Sequence, residues 1–296
     1  MSERRGALWL QGARPRTLPA AVVPVAVGAA AAVGQADAVP WARAPLALIV
    51  ALALQVGVNY ANDYSDGVRG TDDERRVGPV RLVGSGLVPA AEVKRAATLS
   101  FAVAGVVGLA LCLLAGPELL LIGAAALLAG WTYTGGPKPY GYLGLGEVFV
   151  FVFFGLVATV GTTYVLLERL DGLSIVASLA VGCWATGLLI INNLRDIAGD
   201  RLAGKRTLAV RLGDSGTRWL FVGIEVAALL AVAAVVVGFG RWASLLVLLG
   251  LGQAVQAMAV VRRGATGVEL IKVLGLAAQV QMVAGLGFAA GLALSG

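Results

Sequence analysis

Two short stretches of this 296-residue chain hold most of the side chains that could do chemistry. The first, NYANDYSDGVRGTDD, carries Asn59, Asn62, Asp63 and Asp66, with Asp72 following. Positions 59, 62, 63 and 66 are spaced i, i+3, i+4, i+7, so a continuing helix puts all four on one face. Carboxylates gathered on one face repel each other, an arrangement easier to understand with a divalent cation among them. The second stretch, INNLRDIAGDRLAGKRTLAVRLG, repeats Asn192, Asp196 and Asp200 at i, i+4, i+8, again one helical face. The two are in register, because Asn62 to Asn192 and Asp66 to Asp196 are both 130 residues apart. That spacing fits a duplicated unit, with Gly70 standing where Asp200 predicts an acid.

One short Asp-rich loop is as often a helix cap or a solvated turn. Two matched faces point instead to a metal-diphosphate site. The chain has no histidine, which excludes histidine bases, His-ligated zinc and His-ligated haem. Hard oxygen donors, few in number, suit Mg²⁺ that shares its shell with water and phosphate oxygens. Cys112 and Cys183 lie in separate apolar runs and read as packing residues.

Cations surround the acids. Arg69, Arg81, Lys138, Lys205 and Arg206 could neutralise a polyanion, although any one of them alone is more often a topological anchor. Lys138 stands out as the sole cation in its connection, YTGGPKPYGYLGLGE, which also gathers Tyr133, Tyr140 and Tyr142. Tyrosines there serve either as an interfacial belt or as π faces toward a cation. Glu147 and Glu225 are intramembrane acids, candidates by position but without an assigned role.

The elements that must position these groups are membrane helices. The chain is 58% hydrophobic and 14% charged, with a mean hydropathy of +0.86, whereas soluble domains carry roughly 25% charged residues. Apolar runs near 18–34, 44–61, 96–115, 118–133, 147–167, 173–192, 218–238, 242–261 and 270–294 give nine candidate spans, the fourth of them short. With the N-terminus in the cytoplasm, only Arg43, Arg169 and Arg241 of the 23 Lys and Arg residues fall outside. That asymmetry supports the span count and an N-in, C-out orientation. The net charge of +6 is therefore a topology signal and no indication of a nucleic-acid partner. The first 30 residues show no signal-peptide cleavage pattern. The expected architecture is an all-α bundle of nine transmembrane helices, a single domain over 1–296, with the connections 63–95 and 194–217 capping one cavity on the cytoplasmic side.

The paired motifs make the chain resemble the UbiA-type intramembrane aromatic prenyltransferases over nearly its whole length. That superfamily carries NxxxDxxxD and DxxxDxxxG, the second matched by Asp196, Asp200 and Gly204. In the first, Asn62 and Asp66 fit and the last acid comes two positions late, at Asp72. The strings ARPRTLPAAVVPVAVG at 13–28, NDYSDGVRGTDD at 62–73, RLVGSG at 81–86 and YTGGPKPYGYLGLGE at 133–147 look like the branch that prenylates 1,4-dihydroxy-2-naphthoate in menaquinone biosynthesis.

The resemblance implies a Mg²⁺ site built from Asn62, Asp63, Asp66, Asp72, Asp196 and Asp200. Asp66, Asp196, Asp200 and Lys138 are then catalytic, and Lys138, Arg81, Lys205, Arg206 and Arg69 bind diphosphate. Tyr133, Tyr140, Asn59 and Asn192 serve the acceptor or the carbocation. The implied partners are polyprenyl diphosphate, 1,4-dihydroxy-2-naphthoate and the lipid bilayer of a bacterial cell membrane. The nearest rival is prenyl transfer to 4-hydroxybenzoate, homogentisate or haem. A cation transporter is a weaker rival, because its acids should lie near the midplane and these cluster at one end beside basic residues. A helical scaffold with polar caps leaves the matched faces unexplained.

Overall fold

The computed structural model describes residues 2–70 and 81–296, and the described residues are helical throughout, without strands. The helices are α1 (Ser2–Ala13), α2 (Pro19–Ala31), α3 (Arg43–Arg69), α4 (Ala90–Ala115), α5 (Leu119–Thr132), α6 (Gly146–Leu167), α7 (Gly172–Leu202), α8 (Leu208–Phe239), α9 (Trp242–Arg262) and α10 (Gly267–Leu294). Seven of them, α3, α4 and α6 to α10, run for 21 to 32 residues and are apolar enough to cross a membrane. The remaining two expected spans fold as the 13-residue α2 and the 14-residue α5. At about 1.5 Å per residue each covers roughly 20 Å, short of a hydrocarbon core of about 30 Å. Their boundaries have local causes. Pro19 opens α2, and α5 stops before Gly135, Gly136 and Pro137, where the chain turns.

Elsewhere the helices outrun the hydropathy. The runs expected to stop near 61 and 192 continue as helix to Arg69 and Leu202, because Asn, Asp and Arg end an apolar window without breaking the i to i−4 hydrogen bonding. Both acid stretches therefore sit on rigid final turns.

Helix α7 is the axis of the tightly packed side. Leu173, Val181 and Trp184 pack with Val23 and Val27 of α2, Val232 and Val235 of α8, and Phe288 and Leu292 of α10. Nearer the polar end, Ile190, Ile191 and Leu194 meet Phe221, Val261, Leu270 and Val273. Helix α6 presses on α7 so closely that a Cβ on Gly155 would lie 2.4 Å from the Gly182 Cα. The backbone of α6 widens into a π-helical stretch over Phe151–Val157 at that contact. On the other side, α4 and α5 turn Leu99, Val106, Leu113, Leu121 and Leu128 outward. In a protein this apolar, those side chains face lipid. One half of the bundle is solidly packed and the other encloses space.

Candidate active site

Helix α3 carries its polar face straight into that space. It ends at Gly70, whose N–H donates to the carbonyls of Asp66 and Gly67 with φ at +66°. An ordinary L-residue is strained in that left-handed cap, so a glycine stands where the motif leads one to expect an acid. One turn earlier, the Asp66 side chain is 7% exposed. It accepts a hydrogen bond from the Tyr142 hydroxyl and faces Lys205 Nζ at 3.2 Å and Arg81 Nη2 at 3.9 Å. Asn62 Oδ1 accepts from Thr134 Oγ1 at 2.7 Å. Asn59 Nδ2 donates to the Ala13 carbonyl at 2.8 Å and to Thr17 Oγ1 at 3.0 Å, tying the turn between α1 and α2 to α3.

Helix α7 presents Asn192, Asp196 and Asp200 to the same space. Asp196 is held by its neighbour, since Arg195 Nε and Nη2 each donate to it at 2.7 Å. Past Leu202 the chain reverses through Gly204 at φ +72°, and the Lys205 N–H donates to the Asp200 carbonyl at 2.8 Å. This turn folds the Lys205 ammonium back over the Tyr142 ring, 4.6 Å from its centroid, and to 3.9 Å from Asp200 Oδ1. Burial works against that ammonium, but the facing Asp66, with Tyr142 and Asp200 beside it, outweighs burial and raises its pKa. Burial, then the charge of Asp66, pushes the Tyr142 phenol up as well, so it stays protonated and donates.

The space is a cavity of about 860 Å³. Its polar end is lined by both acid faces with Arg14, Arg81, Arg195 and Lys205. Along the wall runs an aromatic column. Tyr133 and Tyr140 lie 5.4 Å apart, Tyr140 and Phe149 stack at 3.9 Å, and Phe149 and Phe153 follow at 6.0 Å. Beyond it the lining turns apolar, with Leu109, Leu120, Leu127 and Val157 among small residues such as Gly105, Gly108, Gly123 and Gly161. Among the described residues no three acidic side chains gather tightly enough to hold an ion by themselves. A few hard oxygens with room beside them suit Mg²⁺, which keeps several waters and takes phosphate oxygens. The donor set Asn62, Asp66, Asp196 and Asp200 fits that ion.

Of the expected site residues, Asn59, Asn62, Asp66, Arg81, Tyr133, Tyr140, Asn192, Asp196, Asp200 and Lys205 line this one cavity. Four do not. Asp63 is 1% exposed and turned to the neighbouring loop, where its two oxygens accept from the backbone N–H groups of Leu82 and Val83 at 2.9 Å each. It closes a loop and has no face toward the cavity. Lys138 is exposed on the outer side of its connection, since the chain around it turns Tyr140 and Tyr142 inward instead. Arg69, also exposed, donates to the carbonyls of Thr134 and Gly136 and clamps that connection. Arg206 is exposed and contributes its backbone N–H to the Tyr142 carbonyl at 2.9 Å. Asp72 lies outside the described residues.

Three cavity residues were missed as site residues. Tyr142 was visible as one of three clustered tyrosines. Arg195, at i+3 from Asn192, shares the flank of the acid face, a spacing hidden by reading it as an anchor. Arg14 had no local signal beyond its place before Pro15. Glu147 accepts from Asn193 Nδ2 at 2.8 Å, while Glu225 is buried against α7, close enough that a Cβ on Gly187 would lie 3.1 Å from its Oε1.

Comparison with known proteins gives the family and the fold. Residues 21–269 match the UbiA prenyltransferase family. The chain is similar to a Mycobacterium tuberculosis protein named 1,4-dihydroxy-2-naphthoate octaprenyltransferase, at 51% identity over 271 residues, 90% of each chain. Its fold is similar to the apo structure of a UbiA homologue from Aeropyrum pernix, with a TM-score of 0.69 and 19% identity over 92% of this chain and 96% of the other. It is also similar to a UbiA homologue from Archaeoglobus fulgidus bound to DMAPP and Mg²⁺, with a TM-score of 0.63 and 14% identity over 95% and 99%.

Proposed function

The chain belongs to the UbiA prenyltransferase family, and from that premise we propose that it transfers a polyprenyl group from polyprenyl diphosphate to 1,4-dihydroxy-2-naphthoate within the membrane. Diphosphate and CO₂ are released and demethylmenaquinol is formed for menaquinone biosynthesis. The observation that carries this reading is the meeting of two acid faces at one end of a cavity whose remaining length is apolar. The relatives named for this reaction support the acceptor.

Asn62, Asp66, Asp196 and Asp200 are the residues that would hold Mg²⁺, which when bound draws charge from the diphosphate and makes it a better leaving group. Lys205 and Arg81 stand beside Asp66 to balance the charge that grows on the departing diphosphate. Tyr142, protonated, fixes the Asp66 carboxylate through its hydroxyl. As the allylic C–O bond breaks, its electron pair goes to the diphosphate oxygen and a cation is left on the prenyl chain. Tyr140, Phe149 and Phe153 offer π faces to that cation and exclude water from it. The ring carbon that bears the carboxylate then forms the new C–C bond. Its bond to the carboxylate breaks, CO₂ leaves, and the electron pair restores the aromatic ring. The prenyl tail extends between α4, α5 and α6, where small residues leave the width for it.

The cation asymmetry of the sequence supports a cytoplasmic N-terminus and a cytoplasmic active site. In a nine-span arrangement α2 and α5 complete their crossings through flanking turns, of which Pro15–Thr17 before α2 is one. The connections 63–95, of which 71–80 lie outside the described residues, and 194–217 form the cap in this reading, supported by the approach of Lys205 to Asp66. The whole reading is tested by incubating purified protein with Mg²⁺, a polyprenyl diphosphate and a panel of aromatic acids. Prenylated naphthalenediol with one CO₂ per turnover is expected. Turnover of only 4-hydroxybenzoate or homogentisate would overturn the acceptor assignment.

A further inference from the structure

Arg195 differs from the other cations of the cavity. Its side chain is 3% exposed, and two of its nitrogens form a planar, two-bonded pair with Asp196 at 2.7 Å. Its third nitrogen, Nη1, is buried with no hydrogen-bond partner among the described residues, although Arg195 lines the cavity. A buried guanidinium N–H without an acceptor is costly, and it persists most readily where a ligand supplies the acceptor. Because Asp196 already balances the charge of this arginine, what Arg195 adds to the cavity is direction more than charge. The opposite pattern holds at Asp66, where Lys205 and Arg81 approach at 3.2 and 3.9 Å without a planar pairing, the geometry of point charges suited to a polyanion.

Resting on the reading of an aromatic-acid acceptor, we propose that Arg195 recognises that acceptor: Nη1 donates to the carboxylate of the aromatic ring and sets which ring carbon faces the prenyl chain. The pairing with Asp196 fixes the plane of the guanidinium, so one hydrogen bond to a ligand carboxylate carries orientation as well as affinity. Arg195 thereby joins the acceptor site to the acid face of α7, one residue from a proposed Mg²⁺ ligand. The acceptor would be selected for its carboxylate by the same helix that handles the diphosphate.

The test is equilibrium binding to the full chain in detergent, without Mg²⁺ or prenyl diphosphate, of 1-hydroxy-2-naphthoate and of 1-naphthol, its carboxylate-free counterpart. Wild type is expected to prefer the acid. Arg195→Met should weaken the acid about tenfold to a hundredfold, leave 1-naphthol unchanged, and raise the acceptor KM without raising that of the prenyl diphosphate. Arg195→Lys should recover part of the loss, and it carries the same comparison if the Met variant fails to fold by thermal unfolding. Unchanged affinity for the acid, equal weakening of both probes, or a loss confined to prenyl diphosphate binding would each overturn the proposal. If wild type itself shows no preference for the acid, the aromatic-acid reading falls, and this inference with it. A preference retained by both variants removes Arg195 alone.

Discussion

The two acid faces share a register but not a construction. Asp66 on α3 is met by groups from three other segments: Tyr142 from the connection before α6, Lys205 from the turn after α7 and Arg81 from the chain leading to α4. Asp196 on α7 is met by the residue before it. The helices differ in the same sense. Helix α3 ends at Gly70, four residues beyond Asp66, whereas α7 runs on to Leu202 and carries Asp200 as a second carboxylate. The first face is a junction on which distant parts of the chain converge, and the second carries a guanidinium–carboxylate pair within one helix, with Lys205 and Thr207 from the turn beyond it set against Asp200.

The largest effects should come from the acids themselves. Asp66→Ala and Asp196→Ala are each expected to lower kcat by about a thousandfold or more, with protein still folded in detergent. Their stabilities should separate the two constructions. Losing Asp196 leaves the Arg195 charge buried and uncompensated, costing about 3 kcal/mol, and adding Arg195→Met should restore most of it in chemical denaturation. For Asp66→Ala, adding Lys205→Met should restore only part, because Arg81 and Tyr142 have lost the same partner. Equal rescue at both sites would erase the distinction.

Next in size is Lys205→Ala, with a fall in kcat/KM of about tenfold to a hundredfold at limiting prenyl diphosphate. Tyr142→Phe keeps the ring beneath Lys205 and removes one hydrogen bond to Asp66. A loss of about threefold to tenfold is expected in steady-state kinetics. Smallest is Lys138→Ala. An exposed side chain outside the cavity should leave kcat/KM within about twofold of wild type, in line with surface substitutions generally, and a tenfold loss would show that the connection rearranges to bring it in.

What the sequence disclosed was whatever depends on periodicity along one helix. The positions Asn62, Asp66, Asn192, Asp196 and Asp200 share faces because helical spacing makes them do so, and they line one cavity. Asp63 obeys the same spacing, yet its fate is decided by where the chain returns at Leu82 and Val83, a tertiary matter that spacing does not encode. Lys138 was singled out by charge counting, which places a cation in a connection without saying which way it points. Prolines on either side of it and the inward tyrosines decide that. The fourth span reads as short from hydropathy and folds as the 14-residue α5, whereas the run 18–34 overstates α2, which ends at Ala31, because a hydropathy window registers apolar residues whether or not they are helical. Arg195 was legible by spacing but masked by the stronger topological signal of its charge.

The central claim is that the two faces act on one diphosphate. It is tested most directly by Mg²⁺-dependent binding of a prenyl thiodiphosphate, a slow-reacting analogue, to wild type, Asp66→Asn, Asp196→Asn and the double variant by calorimetry. A shared site predicts that each single change weakens binding about tenfold or more and that the double variant is little worse than either, a strong coupling of the kind expected for residues in one network. Two losses that simply multiply would contradict it, because they would mean that α3 and α7 hold separate ligands.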